Sequence, residues 1–176
     1  MSGRERTYLV LAAWLVVAAL FAVCGRGSFG QGILLVMTTL AAFGCWAVGG
    51  LLLLISGEPS SRWREAGRTA LALGTVLFGA WASLPFGIVL NHRDIAEAKA
   101  FCEGLIPAIE RFKTQTDRYP ETPPGLDENI AWPRLIDKGH FYRADAKGYG
   151  FDFIDPSGML NGFEYSSSTG QWLEWD

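Results

Sequence analysis

The chain has 176 residues, 49% of them hydrophobic, and a formal net charge of −3 at pH 7. That average joins two unlike halves: residues 1–90 carry 6 Lys/Arg against 3 Asp/Glu, and residues 91–176 carry 9 against 15. Three apolar runs confined to the first half exclude a soluble two-domain enzyme. The charge balance excludes a nucleic-acid binder with a basic face, and the aromatic-rich second half excludes a disordered chain.

Tyr8–Cys24 is apolar without a break, about 17 residues or roughly 25 Å of helix. Ile33–Ile55 and Thr69–Leu90 are longer, each roughly 33 Å as helix. None carries a charged side chain, and three such runs in 90 residues exceed what a small core could bury. The spacing therefore predicts three transmembrane helices over 8–24, 33–55 and 69–90, with the lipid bilayer as their first partner. Arg4 and Arg6 would suit a signal peptide, but Cys24-Gly25-Arg26-Gly27 is no small-x-small cleavage site. Val23 before Cys24 argues against a lipoprotein box.

Orientation follows from the short connections. Arg4 and Arg6 precede the first run. Arg62, Arg64 and Arg68 lie in the second connection, Ser56–Arg68, and only Arg26 lies in the first, Gly25–Gly32. The excess of positive charge predicts a cytoplasmic N-terminus and places residues 91–176 outside the cytoplasm, in the periplasm if the membrane is a bacterial inner membrane. Tyr8 and Trp63 suit the interface. In the third run Thr75, Gly79, Ser83 and Gly87 recur every four residues, a stripe of small side chains that lets another helix approach closely. The stripe admits two partners. One is the second run's Ala41, Cys45 and Gly49, the favoured reading. The other is a further copy of the chain, giving a homo-oligomer through the third span. Pro85 predicts a kink near the outer end. Uncharged spans offer no parts for a proton relay or ion pathway.

Asp94–Thr116 predicts an amphipathic helix that follows the third span with little interruption at Asn91-His92-Arg93. Ile95, Ala98, Cys102, Leu105, Ile109 and Phe112 form its stripe. Pro107 inside the stripe predicts a kink or short break, and Tyr119-Pro120 stops the helix. Glu121–Asn129 is a loop rich in proline and acid. Trp132–Gly139 reads as a helical turn or short helix. Beyond it the pattern alternates with period two. Tyr149, Phe151 and Phe153 share a face with Asp152 opposite, then Phe163 and Tyr165 with Glu164 opposite. Leu173 and Trp175 follow, with Trp172 and Glu174 opposite. The turns are Asp155-Pro156-Ser157-Gly158 and Ser166–Gly170. The expected fold is membrane α-helical plus a small α+β extracytoplasmic domain, in which the helix covers an antiparallel three-stranded meander. Ile109, Phe112, Tyr119, Phe151, Phe153, Phe163, Tyr165 and Trp175 form the expected core.

The run Ile109-Glu110-Arg111-Phe112-Lys113-Thr114-Gln115-Thr116-Asp117-Arg118-Tyr119-Pro120, closing a helix before a loop and a meander, resembles the globular part of type IV pilin-like proteins. The type II secretion major pseudopilin is the nearest likeness. Asp117 stands where that family commonly has glycine. The likeness covers Asp94–Asp176. It implies a fold, and it does not extend to the family's leader: Glu5 precedes the first span, and the globular part hangs from the third. Processing by a prepilin peptidase and assembly into a fibre are therefore not expected. The family's calcium ligands have no residue-by-residue match, and Asp145, Asp152 and Asp155 read as solvated turn carboxylates.

The chain shows no Gly-x-Ser-x-Gly, His-Glu-x-x-His or phosphate loop. His92 reads as an interface residue and His140 as an exposed turn residue. Cys45 reads as a packing residue and Cys102 as a buried thiol, although an outer-side disulfide between Cys24 and Cys102 is conceivable. The expectation is a non-enzymatic protein without cofactor or metal, whose acidic periplasmic domain binds a protein partner as an accessory or structural subunit of an envelope or secretion complex. The alternative is a membrane-bound immunity protein that neutralises a periplasm-acting toxin.

Overall fold

A computed structural model describes residues 3–56, 62–126 and 130–176, and the chain divides into two compact units, Met1–Leu90 and Asn91–Asp176. Parts of two expected loops, residues 57–61 and 127–129, lie outside the described residues, as do the side chains of Arg4 and Arg6.

The first unit is helical: α1 (Gly3–Gly25), α2 (Phe29–Ile55), α3 (Arg62–Phe78), a 3-10 turn (Gly79–Ala82) and the start of α4 (Ser83–Thr116). Among the described residues, three helices are long and apolar enough to cross a membrane, the third being the continuous run from Arg62. Both expected connections prove shorter than the apolar runs imply. Ser28 caps α2, its hydroxyl accepting the Gln31 N–H at 3.3 Å, so the first connection is only Arg26–Ser28. Arg62, Arg64 and Arg68 are helical, in the first two turns of α3.

The small-residue stripe is divided between neighbours. Helices α2 and α3 cross at Gly49 and Gly67, where a Cβ on either would stand 2.8–2.9 Å from the other's carbonyl oxygen. Gly74 abuts Trp46 and the Ala42 carbonyl in the same crossing. Of the predicted stripe, Thr75 is exposed and bonds the Leu71 carbonyl of its own helix. Gly79 faces the Trp14 ring of α1, and Gly87 lies against Gly27 and Gln31. On α2, Ala41 is exposed. The expected Ala41–Cys45–Gly49 pairing with Thr75–Gly87 is therefore replaced by two separate contacts. The cause is local. Pro85 has no N–H for the Trp81 carbonyl and its ring crowds that position, and the helix tightens to 3-10 just before it. Gly79 and Gly87 meet Trp14 of α1 and Gly27 of the first connection instead of the Ala41–Gly49 face.

The second unit packs the continuation of α4 against one face of a four-stranded antiparallel sheet, in the sequential order β1 (Tyr142–Ala144), β2 (Tyr149–Ile154), β3 (Gly162–Ser166), β4 (Gln171–Trp175). The meander thus has four strands, not three. The helix runs through Pro107 without ending, with that ring on its exposed side. It stops at Asp117, which takes a left-handed conformation (φ 56°) where the likeness would place glycine. The expected helical turn at 132–139 is a chain of turns. Ile95, Ala98, Cys102, Leu105 and Ile109 from α4 meet Ile136, Phe141, Tyr149, Phe151, Phe153 and Tyr165 in the core. Tyr119 and Phe163 pack partly buried against it.

Two expected core residues lie elsewhere. Phe112 is half-buried, at the last full turn of α4 and beyond the reach of the sheet residues that bury Ile109. Trp175 is exposed on the opposite face of the sheet, where its ring lies over Gly162. Cross-strand register explains the inversion: Tyr165 pairs with Trp172, so Trp172 is the inward ring of β4. It packs on Phe153 and Tyr165 and donates its indole N–H to Glu103 Oε1 at 2.8 Å.

Candidate functional site

Among the described residues, a cavity stands out in each unit. In the helix unit, an apolar cleft of about 610 Å³ runs between α1 and α2, walled by Leu20, Phe21, Ile33 and Leu34. Beside it lies Gln31, which apolar-run reading passed over because it falls just before the second run. It is 1% exposed. Its Oε1 accepts the Gly27 N–H at 2.7 Å, and its Nε2 donates to Ser83 Oγ at 2.9 Å, which in turn donates to the Ala80 carbonyl. Further along, the Trp81 indole N–H reaches Thr39 Oγ1 at 2.6 Å. These bonds tie α2 to the 3-10 segment and the start of α4 and are structural in character: they pair neutral groups with one another.

In the sheet unit, a groove of about 350 Å³ opens at the end formed by the β1–β2 and β3–β4 turns. Local chemistry shapes it. Asp145 Oδ1 accepts the backbone N–H groups of Lys147 (2.7 Å) and Gly148 (2.9 Å), which folds β1 back into β2. Those bonds hold the Asp145 carboxyl below its usual pKa, helped by the Lys147 charge. The facing turn closes through Gly170 (φ 66°), whose N–H bonds the Ser166 carbonyl. Ser167 joins the two turns: its Oγ accepts the Tyr149 N–H at 2.8 Å and its N–H bonds the Tyr149 carbonyl. Arg143 lies across the groove floor. It sits opposite Gly150, where the missing side chain leaves room for the guanidinium to reach Glu164 on β3. Burial pushes the neighbouring Asp152 carboxyl up, as does the Glu164 charge directly across the ladder, against the Arg143 charge.

The groove therefore offers a guanidinium, an ammonium, two carboxylates and the hydroxyls of Ser166 and Ser168, which bond to each other at 2.8 Å. Donors and acceptors of both signs on a shallow wall suit recognition of a polar surface or extended peptide. Nothing in the sequence pattern alone joins Arg143, Lys147, Glu164 and Ser166–Ser168, because their proximity depends on the register of three strands.

The residues singled out earlier fall elsewhere. His140 Nδ1 pairs with Asp137 Oδ2 at 3.0 Å in an exposed turn, and His92 is exposed at the start of the unit. Asp145 and Asp155 occupy opposite ends of β2, with Asp152 between them on the outer face, so the three carboxylates do not converge. All three cysteines are free, Cys102 buried in the core and Cys24 exposed. No family model, no curated protein and no solved structure matches this chain.

Proposed function

We propose that the protein is a membrane-anchored binding module, with residues 1–90 spanning an inner membrane and residues 91–176 meeting a protein partner outside the cytoplasm. The groove carries the reading. It is polar and two-signed, and its two positive side chains stand in a unit whose overall balance is 9 Lys/Arg against 15 Asp/Glu. A partner surface with an acidic and a basic group at matching spacing would satisfy Arg143, Lys147 and Glu164 together. The N-in orientation rests on Arg4 and Arg6 before the first run and Arg62, Arg64 and Arg68 after the second, against Arg26 between them. The likeness of residues 94–176 to pilin-like globular domains belongs to the same proposal. It rests on the order of helix, loop and meander, and it fits an accessory subunit of an envelope or secretion complex.

The test is photo-crosslinking in native membranes from Ser168 in the groove, with exposed Gln115 at the end of α4 as control. A single protein captured from position 168, absent from position 115 and lost in Lys147→Glu, is the expected result. Equal capture at both positions, or capture indifferent to Lys147, overturns the groove as the binding site. The identity of the captured protein separates the two roles, since an immunity protein would capture a toxin and an accessory subunit a component of an envelope complex.

A further inference from the structure

The sheet's other end has a different chemistry. The large hydrophobic side chains described as exposed in residues 91–176 are Ile154 (65%), Met159 (76%), Leu160 (73%), Leu173 (57%) and Trp175 (38%). They gather in one place. Ile154, Gly162 and Trp175 form one cross-strand row on the outer face of the sheet, Leu173 sits in the next row, and Met159 and Leu160 lie in the β2–β3 turn that begins where Ile154 ends. A soluble surface scatters such residues; a cluster of five marks a surface that meets something apolar.

The same turn is tied to the start of the unit. Asn91 Nδ2 donates to Asp155 Oδ1 at 3.1 Å, and Asp155 Oδ1 also takes the Ser157 N–H at 2.8 Å. Both side chains are buried. Asn91 is covalently next to Leu90, the last residue of the third apolar run. The residue that holds the turn is therefore the one at which the chain leaves that run. Arg93, exposed one position beyond His92, adds positive charge to this end, whereas Arg134 is neutralised by its pair with Asp94 at 3.0 Å.

We infer that the β2–β3 turn and the adjoining row form a second membrane contact, with Met159 and Leu160 inserted at the headgroup–acyl boundary and Trp175 lying at headgroup level. Continuity decides for lipid over a protein occupant: a hydrogen bond links the patch to the first residue past the span, so the nearest apolar phase is the bilayer that the span occupies. Tryptophan favours that interface, and arginine suits anionic headgroups. The groove, at the opposite end of the six-residue β2, lies roughly 20 Å away and stays in water.

This inference rests on the membrane-spanning reading of the third run but not on the groove's partner. The full chain, with Cys24→Ala and Cys45→Ala, is reconstituted into phosphatidylethanolamine–phosphatidylglycerol vesicles and spin-labelled in turn through Leu160→Cys, Met159→Cys, Ala146→Cys and Val89→Cys. Oxygen partitions into lipid and a polar nickel chelate does not, so the ratio of the two collision rates reports depth. The expected result is a ratio at 159 and 160 several-fold above that at Ala146, in the β1–β2 turn, and below that at Val89. A water-like ratio at both 159 and 160 overturns the insertion. Loss of both collision rates there also overturns it, because a protein surface or second copy would then cover the patch. A water-like ratio at Val89 overturns the spanning reading and the inference with it.

Discussion

Gly67→Ala tests whether backbone contact at the α2–α3 crossing holds the helix unit together. The new Cβ would stand 2.9 Å from the Gly49 carbonyl oxygen, 3.1 Å from Leu53 Cγ and 3.2 Å from Leu52 Cβ. Ordinary contact begins near 3.4 Å. Leu53 can turn aside, but the Gly49 carbonyl oxygen and Leu52 Cβ move only with their helix, so α2 and α3 must part by about 0.5 Å. Overpacking of this kind costs about 1–3 kcal/mol. Alanine recovers about 0.5–1 kcal/mol of helix propensity over glycine. The net expected loss is about 1 kcal/mol at the middle of the two ranges, with extremes of about 0 and 2.5 kcal/mol. Gly44, on the same α2, has nothing within 4 Å of its would-be Cβ. Gly44→Ala should therefore gain the propensity term alone, about 0.5–1 kcal/mol. The two substitutions are chemically identical and should have opposite signs. Gly49→Ala with Gly67→Ala should cost less than the sum of the singles, because one separation relieves both clashes. Detergent-solubilised protein unfolded by heat or SDS and followed by tryptophan fluorescence gives the comparison. A Gly67→Ala protein as stable as Gly44→Ala would refute the close crossing.

In the sheet unit, Phe153→Ala should cost about 3–5 kcal/mol, whereas half-buried Phe112 should cost about 1 kcal/mol on truncation; equal losses in urea melts would contradict the burial difference. Gln31→Leu leaves the Gly27 N–H without its acceptor and should lower helix-unit stability by about 1–3 kcal/mol, read by the same detergent unfolding. Burial pushes the Asp155 carboxyl up, but the hydrogen bonds from Ser157 and Asn91 outweigh it and leave its pKa below the usual value. A depressed carboxyl contributes stability at neutral pH that is lost as pH falls through its folded value, so Ser157 amide exchange, corrected for its intrinsic pH dependence, should accelerate on acidification below about pH 4 and become less pH-dependent in Asp155→Asn. Alkaline phosphatase fused after Asp176 should be active and after Gly57 inactive; the reverse pattern would invert the proposed topology.

Helical features were the most legible in the sequence because they depend on neighbours three or four residues apart. The stripe from Ile95 to Ile109 is visible in the sequence and is buried in the fold. Features set by register were not legible. In Trp172-Leu173-Glu174-Trp175 both faces carry apolar residues, and simple alternation favours the face with two; pairing of Tyr165 with Trp172 chooses the other. Strand β1 has three residues, too few to show a period. The Thr75–Gly87 stripe assumed one regular helix, and the 3-10 turn before Pro85 broke that regularity. Gln31 gave a faint signal as a lone amide beside an apolar run, but its partner Ser83 lies 52 residues away. The groove had no sequence signature, because it is made where two turns meet.

The order of elements also sets a folding schedule. Every strand pairs with its neighbour in sequence, so the sheet has only short loops to close and little topological delay. The core nevertheless needs Tyr165 on the third strand, and the helix stripe that it helps to cover is complete by Ile109. At translation rates of about 5–20 residues per second, Ile95, Leu105 and Ile109 wait on the order of several seconds for that strand. Throughout that interval an apolar helix face that the sheet has yet to cover follows directly on the third apolar run. Chaperone dependence during biogenesis should therefore concentrate on α4, and premature truncation before Gly162 should produce an aggregation-prone chain rather than a smaller folded domain.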